Sequence, residues 1–404
     1  MEKNMLKNGF TVVLEKKPTE TVTIQASVKT GSNNEDKRIN GISHFIEHML
    51  FEGTCKRPNS HIIANEIESL GGELNAYTSN ERTCFYVKVP KNHFDKALDI
   101  ISDLVQNSIF DAKNVEKERK VILKEIDMHK DEPRFHQWIL FYRILFKKHP
   151  AGLAPYGTVD AVKKMTRKDL SEHYHAHYVP NNMILSVVGD FDSKALGKIK
   201  INFEGFKQRD LCLRKEIVEP NKDKVEVLKE KRDILSSYMV LGYRAVSRLD
   251  KDSYVLDVIK SILGRGQSGK IFDEIRNKRG LAYEVGVHNE PCSDYGFFAV
   301  YLNTDKKNIP KAISLILKEF DGLQRLSKKE LEEAKGFLIG QHILSNEDTR
   351  DLADELGFWE SIKDSKLLDG YLKEIEKVSL NDVARVAKKY LTKNYALAVV
   401  EQSK

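Results

Sequence analysis

Two stretches 212 positions apart carry one pattern. YVPNNMILSVVGD (178–190) and YLTKNYALAVVEQ (390–402) set Tyr178 over Tyr390, Asn182 over Asn394 and Val187-Val188 over Val399-Val400, an offset of 390 − 178 = 212. A repeat of that length within 404 residues implies two copies of one domain of ordinary size. Near the same offset EHMLFEG falls opposite IKSILGR (259–265), so His48 meets Lys260 and Glu47 meets Ile259. EIESLGGELNAYTS resembles EIRNKRGLAYEVG with a small gap. Whatever chemistry the histidines and glutamate of the first copy perform, the second copy cannot duplicate it.

Local patterns mark each copy as α+β. FTVVLEK (10–16) and TVTIQASVKT (21–30) are rich in β-branched residues and predict strands, with Pro18 and Glu20 in the turn between them. From Gly41 the period changes: Ile42, Phe45, Ile46, Met49 and Leu50 recur at helical spacing. A second helix, 61–70, ends at Gly71-Gly72. ELNAYTS and RTCFYVKVP predict strands, 94–108 and 114–129 amphipathic helices, and NMILSVVGDF (182–191) a short buried strand. Periodicity fades and charge rises after residue 205. The expected division is therefore a first domain at 1–205, a linker at 206–226 and a second repeat at 227–404.

Composition narrows the function. Apolar residues at 41% and charged residues at 31% suit a water-soluble globular chain, and the net charge of +6 is spread without a basic stripe, which argues against nucleic acid as a partner. No apolar run reaches the roughly 18 residues that a membrane span needs. MEKNMLKNGFTVVLEKK lacks a secretory apolar core. Cys55, Cys84, Cys212 and Cys292 form no C-x-x-C pair. A reduced, cytoplasmic protein is the expectation.

GISHFIEHMLFEGT (41–54) holds the strongest chemical signal. On a helix, His44, Glu47 and His48 share one face, leaving the apolar residues to bury the other. Two imidazoles four residues apart fill two corners of a tetrahedral zinc site, and a catalytic zinc takes a third protein ligand while keeping a position for water. Glu47 stands where a general base would take that water's proton. A bare H-x-x-x-H is more often two polar residues on a solvent-facing helix. A third-ligand search finds Glu118 and Glu125 in EKERKVILKEIDMHKDEP (116–133), seven residues and two turns apart on one face. One carboxylate on the metal and one behind it, holding a histidine ring, is a common arrangement; the spacing alone does not say which is which.

The H-x-x-E-H order is the inverzincin motif, and GISHFIEHMLFEGT resembles that of the pitrilysin-type (M16) metallopeptidases. LGGELNAYTS (70–79), ERKVILKEI (118–126), NNMILSVVGD (181–190) and IRNKRGLAYEVG (275–286) extend the resemblance over most of the chain. It implies two homologous α+β domains of the processing-peptidase (inverzincin) type, each an antiparallel-rich sheet with helices packed on one face. It further implies one Zn2+ per chain held by His44, His48 and Glu125, with Glu47 as general base and Glu118 as the outer carboxylate. From the second repeat, Arg276 and Tyr283 would stabilise the oxyanion, as a cation and a phenol donor can; Arg279 is a neighbouring rival for the cation. Asn75 and Ala76 would bind an extended substrate as an added strand.

The implied activity is zinc-dependent hydrolysis of extended peptides or unfolded segments in an enclosed chamber. Larger relatives enclose substrate with four such domains, so a two-domain chain implies a homodimer, or a heterodimer with a paralogous subunit, with Arg276 and Tyr283 serving the partner's metal. A non-catalytic structural relative or subunit of the same fold is the alternative. A zinc-dependent lyase with a similar motif fits poorly, being a single short domain. GRGQSG (264–269) matches G-x-G-x-x-G literally, but the preceding segment has helical rather than strand spacing. His173, His175 and His177 in EHYHAHY are expected on a solvated helix end.

Overall fold

A computed structural model describes residues 1–211, 214, 217–220 and 223–403. The chain forms two compact units, each discontinuous in sequence. The first comprises Met1–Asp127, Leu153–Lys215 and Leu344–Leu368; the second comprises Met128–Gly152, Glu216–Ile343 and Asp369–Lys404. Several positions of the linker expected at 206–226 lie outside the described residues.

The first unit is built on six strands: β1 (Glu2–Met5), β2 (Thr11–Lys16), β3 (Thr21–Val28), β4 (Glu73–Thr78), β5 (Thr83–Pro90) and β6 (Met183–Gly189). Their order is β1-β2-β6-β3-β5-β4, with only the β2–β6 pair parallel. The second unit carries β7 (Glu226–Arg232), β8 (Ser237–Ala245), β9 (Val285–Pro291), β10 (Gly296–Thr304) and β11 (Ala396–Gln402). Their order is β7-β11-β8-β10-β9, and only β7–β11 is parallel. Leaving out β1, the two sheets match strand for strand in order and sense. The paired stretches at 178–190 and 390–402 deliver β6 and β11, which hold equivalent places.

Helices cover one face of each sheet where the apolar periodicity puts them. In the first unit Val22, Ile24, Ala26 and Val28 of β3 pack with Phe45, Ile46, Met49 and Leu50 of helix Ile42–Phe51 and with Ile100, Ile101 and Leu104 of helix Phe94–Asn107. In the second unit Met239, Leu241 and Tyr243 pack with Leu256, Ile259 and Leu263 of helix Asp252–Gly264 and with Val383 and Val386 of helix Leu380–Tyr390. Helix Asp252–Gly264 runs directly into GRGQSG, so no strand precedes that loop.

Each sheet also carries one helix on its opposite face, drawn from the other half of the sequence. Helix Thr349–Ile362 lies on β3 and β6. Its Thr349 meets Thr23 (Oγ1–Oγ1 2.8 Å), Asp354 accepts from Gln25 Nε2 at 2.8 Å, and a Cβ on Gly357 would stand 3.1 Å from Ser27 Oγ and 3.3 Å from Ser186 Oγ. Helix Pro133–Leu145 lies on β8 and β11, where Leu140, Phe141 and Leu145 bury Val240, Ala398 and Val400. It starts with Pro133 in its first turn, where helices favour proline, and the Glu132 side chain at the N-cap accepts from Arg134 N.

Candidate metal centre

Helix Ile42–Phe51 begins at a constrained corner. Gly41 is its N-cap at φ 94°, a left-handed conformation, and a Cβ there would come within 2.7 Å of Gly157 Cα. The first N–H groups of a helix need acceptors. Here the buried carboxylate of Glu35 supplies them: Oε2 accepts from Gly41 N at 2.7 Å and from Asn40 Nδ2 at 3.1 Å, and Oε1 accepts from Ser43 N at 2.9 Å. Burial pushes the Glu35 carboxyl above its ordinary range, against those hydrogen bonds. Nothing in the sequence pattern singles out Glu35.

The helix buries Ile42, Phe45, Ile46, Met49 and Leu50 and turns His44, Glu47 and His48 to its other side. Across from it runs helix Ala112–Asp131, longer than the expected 114–129, anchored through Val115, Ile122 and Ile126. Its Glu118 and Glu125 project toward the histidines. Glu125 Oε2 lies 3.6 Å from His44 Nε2 and 3.5 Å from His48 Nε2. Ligand atoms of His44, His48 and Glu125 all fall within 4.8 Å of one another, and this is the one such cluster of three or more His, Cys, Asp or Glu among the described residues. Glu118 is buried, and its Oε2 stands 3.1 Å from His48 Nδ1. With Nδ1 donating to that carboxylate, the His48 imidazole, once it has lost its Nε2 proton, would have its Nε2 lone pair available to a metal.

The side chains of His44, His48 and Glu125 are 12%, 22% and 34% exposed, a gradient from the buried wall to solvent that lets water reach the three donors. Charge in the site is strongly negative. Burial disfavours a proton on His48, yet hydrogen bonds to Glu118 and Glu125 and the field of Glu47 prevail and raise its pKa to about 9. Burial pushes the Glu47 carboxyl up, opposed by a hydrogen bond from Thr78 Oγ1 to Glu47 Oε2 at 2.5 Å. Such a cradle favours a cation. Two imidazoles and one carboxylate are donors that could hold zinc, and they suit it better than calcium or magnesium, which take all-oxygen sites.

The description "Insulinase (Peptidase family M16)" fits residues 11–158, and "Peptidase M16 inactive domain" fits residues 164–338. A Bacillus subtilis (strain 168) protein named as the uncharacterized zinc protease YmxG is 30% identical over 400 residues, 98% of this chain and 97% of its own length. The chain belongs to peptidase family M16. Another relative, named as an uncharacterized zinc protease of Mycobacterium leprae (strain TN), is 32% identical over 98% of this chain and 90% of its own. The crystal structure of a protease from Helicobacter pylori superposes at a TM-score of 0.94 with 25% identity, over 99% of each chain. The two-domain M16 architecture is thus shared along the whole length. A second family description worded as inactive suits a repeat in which Lys260 and Ile259 stand opposite His48 and Glu47.

In the second unit the structure brings Arg276 and Tyr283 together. The Arg276 guanidinium lies 5.1 Å from the centre of the Tyr283 ring and 4.9 Å from that of Phe272, and Tyr283 is 74% exposed. Arg279 pairs with Glu274 instead. Asn75 and Ala76 lie on β4, an edge strand of the first sheet, paired on one side by β5. Of the histidine run, His175 is exposed as expected of a solvated helix end, whereas His173 is not. In helix Arg167–His177, His173 is buried beside Leu170 and Tyr174, and its ring centre is 4.2 Å from that of His177. The i, i+4 face that holds this pair is turned inward, and burial drives His173 down to a pKa of about 3.

Proposed function

We propose that the chain is a zinc-dependent endopeptidase acting on extended peptides or unfolded segments, with one zinc per chain held by His44, His48 and Glu125. The convergence of those three donors from two helices within 4.8 Å, with Glu47 on the same helix face, carries the reading. Zinc bound there would supply Lewis acidity, bringing the pKa of a water near neutrality and polarising the peptide carbonyl. Glu47 accepts the attacking water's proton and passes it to the leaving amine. Glu118 holds the His48 ring in register. The outer edge of β4, at Asn75 and Ala76, would take an extended peptide as an added strand in place of the bond from Ala76 N to Asn75 Oδ1, which favours shape over sequence in substrate choice. Arg276 and Tyr283 present a cation and a phenol donor for the oxyanion. In a homodimer they would serve the partner's site and close the chamber around substrate. Cys55 and Cys84 remain reduced thiols, which suits a reducing, cytoplasmic setting.

Purified protein is stripped by chelation, reloaded with zinc and offered a mixed peptide library, with cleavage sites read by mass spectrometry. The reading expects activity lost on chelation, restored by zinc and abolished by Glu47→Gln with zinc content unchanged. A chain that takes up no stoichiometric metal and cleaves nothing would instead be a non-catalytic relative of the same fold.

A further inference from the structure

Resting on the assignment of Glu47 as the base, we propose that Thr78 is a positioning residue: its hydroxyl fixes the Glu47 carboxylate so that Oε1 is the oxygen presented for proton transfer. A carboxylate on a long side chain turns easily, because its terminal torsion is broad and roughly two-fold. A base of that kind needs something to hold it. Thr78 Oγ1 donates to Glu47 Oε2 at 2.5 Å, the short distance of a hydroxyl bonded to an ionised acceptor.

The proton on Thr78 has a defined direction. A threonine hydroxyl donates once. The alternative acceptor, Thr83 Oγ1, is 3.5 Å away, at the limit of a hydrogen bond. Thr83 spends its own proton on the Thr30 carbonyl at 2.9 Å, so it does not donate back. The anchor itself is stiff. Thr78 is β-branched, which restricts its χ1, and it ends β4 directly opposite Thr83 of β5. Helix Ile42–Phe51 packs on β4, so strand and base are held against each other by backbone pairing and core contacts rather than by a loop.

With Oε2 occupied as acceptor, the proton arriving on Glu47 goes to Oε1, and the same oxygen releases it to the leaving amine. Thr78 keeps its own proton throughout. The residue lies on the strand whose edge would bind peptide, yet its hydroxyl points to Glu47, so its loss should lower kcat and leave KM in place.

Thr78→Val keeps the branched shape and removes the donor; Thr78→Ser keeps the donor. With zinc content and Tm checked, Thr78→Val is expected to lower kcat at least 10-fold at unchanged KM, while Thr78→Ser stays within about 3-fold of the parent. In a Glu47→Gln background, Thr78→Val should change the residual rate by less than about 2-fold, because the two act as one unit. Crystal structures of the parent and of Thr78→Val supply a readout free of activity: one Glu47 carboxylate orientation in the parent, and a rotated or divided one in the variant. An unmoved carboxylate in Thr78→Val, or an undiminished kcat, overturns the proposal. If the parent cleaves no peptide, the endopeptidase reading fails, while the Glu47 orientation still decides what Thr78 does.

Discussion

At the scale of single residues, the site separates side chains that would touch a metal from those that hold them. Glu118 contacts His48 and is buried, and the pull of His48 and Lys117 keeps its carboxyl below the ordinary range despite burial. Replacing it by Gln should leave the three donors in place but weaken zinc binding about 10–100-fold, read by competition with a chromophoric chelator. His173 sets a different expectation. The unfolded chain protonates this imidazole below about 6.5, whereas the folded chain refuses the proton until about pH 3. Its contribution is therefore present above the unfolded value and lost as pH falls toward the folded one, at about 1.4 kcal/mol per pH unit. Between pH 7 and 5 this amounts to about 2 kcal/mol, and His173→Leu should flatten the acid limb of stability, measured by urea unfolding across that range. A variant with the parent's slope would deny His173 that role. The i, i+4 spacing of His44 and His48 and the seven-residue spacing of Glu118 and Glu125 were both legible in the letters, because a helix converts spacing directly into a shared face. Glu35 and Thr78 were not, because each reaches its partner across a loop or a strand pairing that no local period encodes.

Among the elements, the helix Ile42–Phe51 matters most, and its start is its weak point. Glu35 accepts the N–H groups of Gly41 and Ser43 in a buried corner. Glu35→Ala strands both donors and should cost about 2–4 kcal/mol of stability, whereas Glu35→Gln retains one acceptor oxygen and should cost about half as much, by denaturant unfolding. Equal losses would mean that space, not hydrogen bonding, is what Glu35 provides. The elements themselves were mostly visible beforehand: the strands at 10–16 and 21–30 and the helices at 94–108 and 114–129 lie within two residues of Thr11–Lys16, Thr21–Val28, Phe94–Asn107 and Ala112–Asp131. Strand β1 leaves no pattern to read, since Glu2–Met5 is four residues with exposed ends and no alternation.

For the molecule as a whole, the two repeats carry one cluster of potential metal ligands among the described residues, His44, His48 and Glu125, and one Arg276–Tyr283 pair. If those pairs act on a partner's site, Glu47→Gln chains mixed with Arg276→Ala chains should recover activity, because each heterodimer then assembles one complete site. Recovery near a quarter of the parent's rate is expected for random pairing of equal amounts of the two inactive chains, since about half of the dimers are mixed and each carries one complete site of two. Coexpression followed by steady-state assay checks it, and no recovery would place Arg276 and Tyr283 in service of their own chain's site.

Repetition, element type and the His/Glu constellation were determined by the sequence, since each depends on spacing along one strand, one helix or one aligned pair of segments. Which faces of the sheets are covered was decided only in three dimensions. In β3 the polar residues Thr23, Gln25 and Ser27 alternate with apolar ones, the pattern of a sheet with one wet face, yet all three are buried under helix Thr349–Ile362. Alternation tells which residues share a face. It carries no information about a helix more than 300 positions away, whose Thr349, Asp354 and Gly357 match that face by hydroxyl, carboxylate and absence of a side chain.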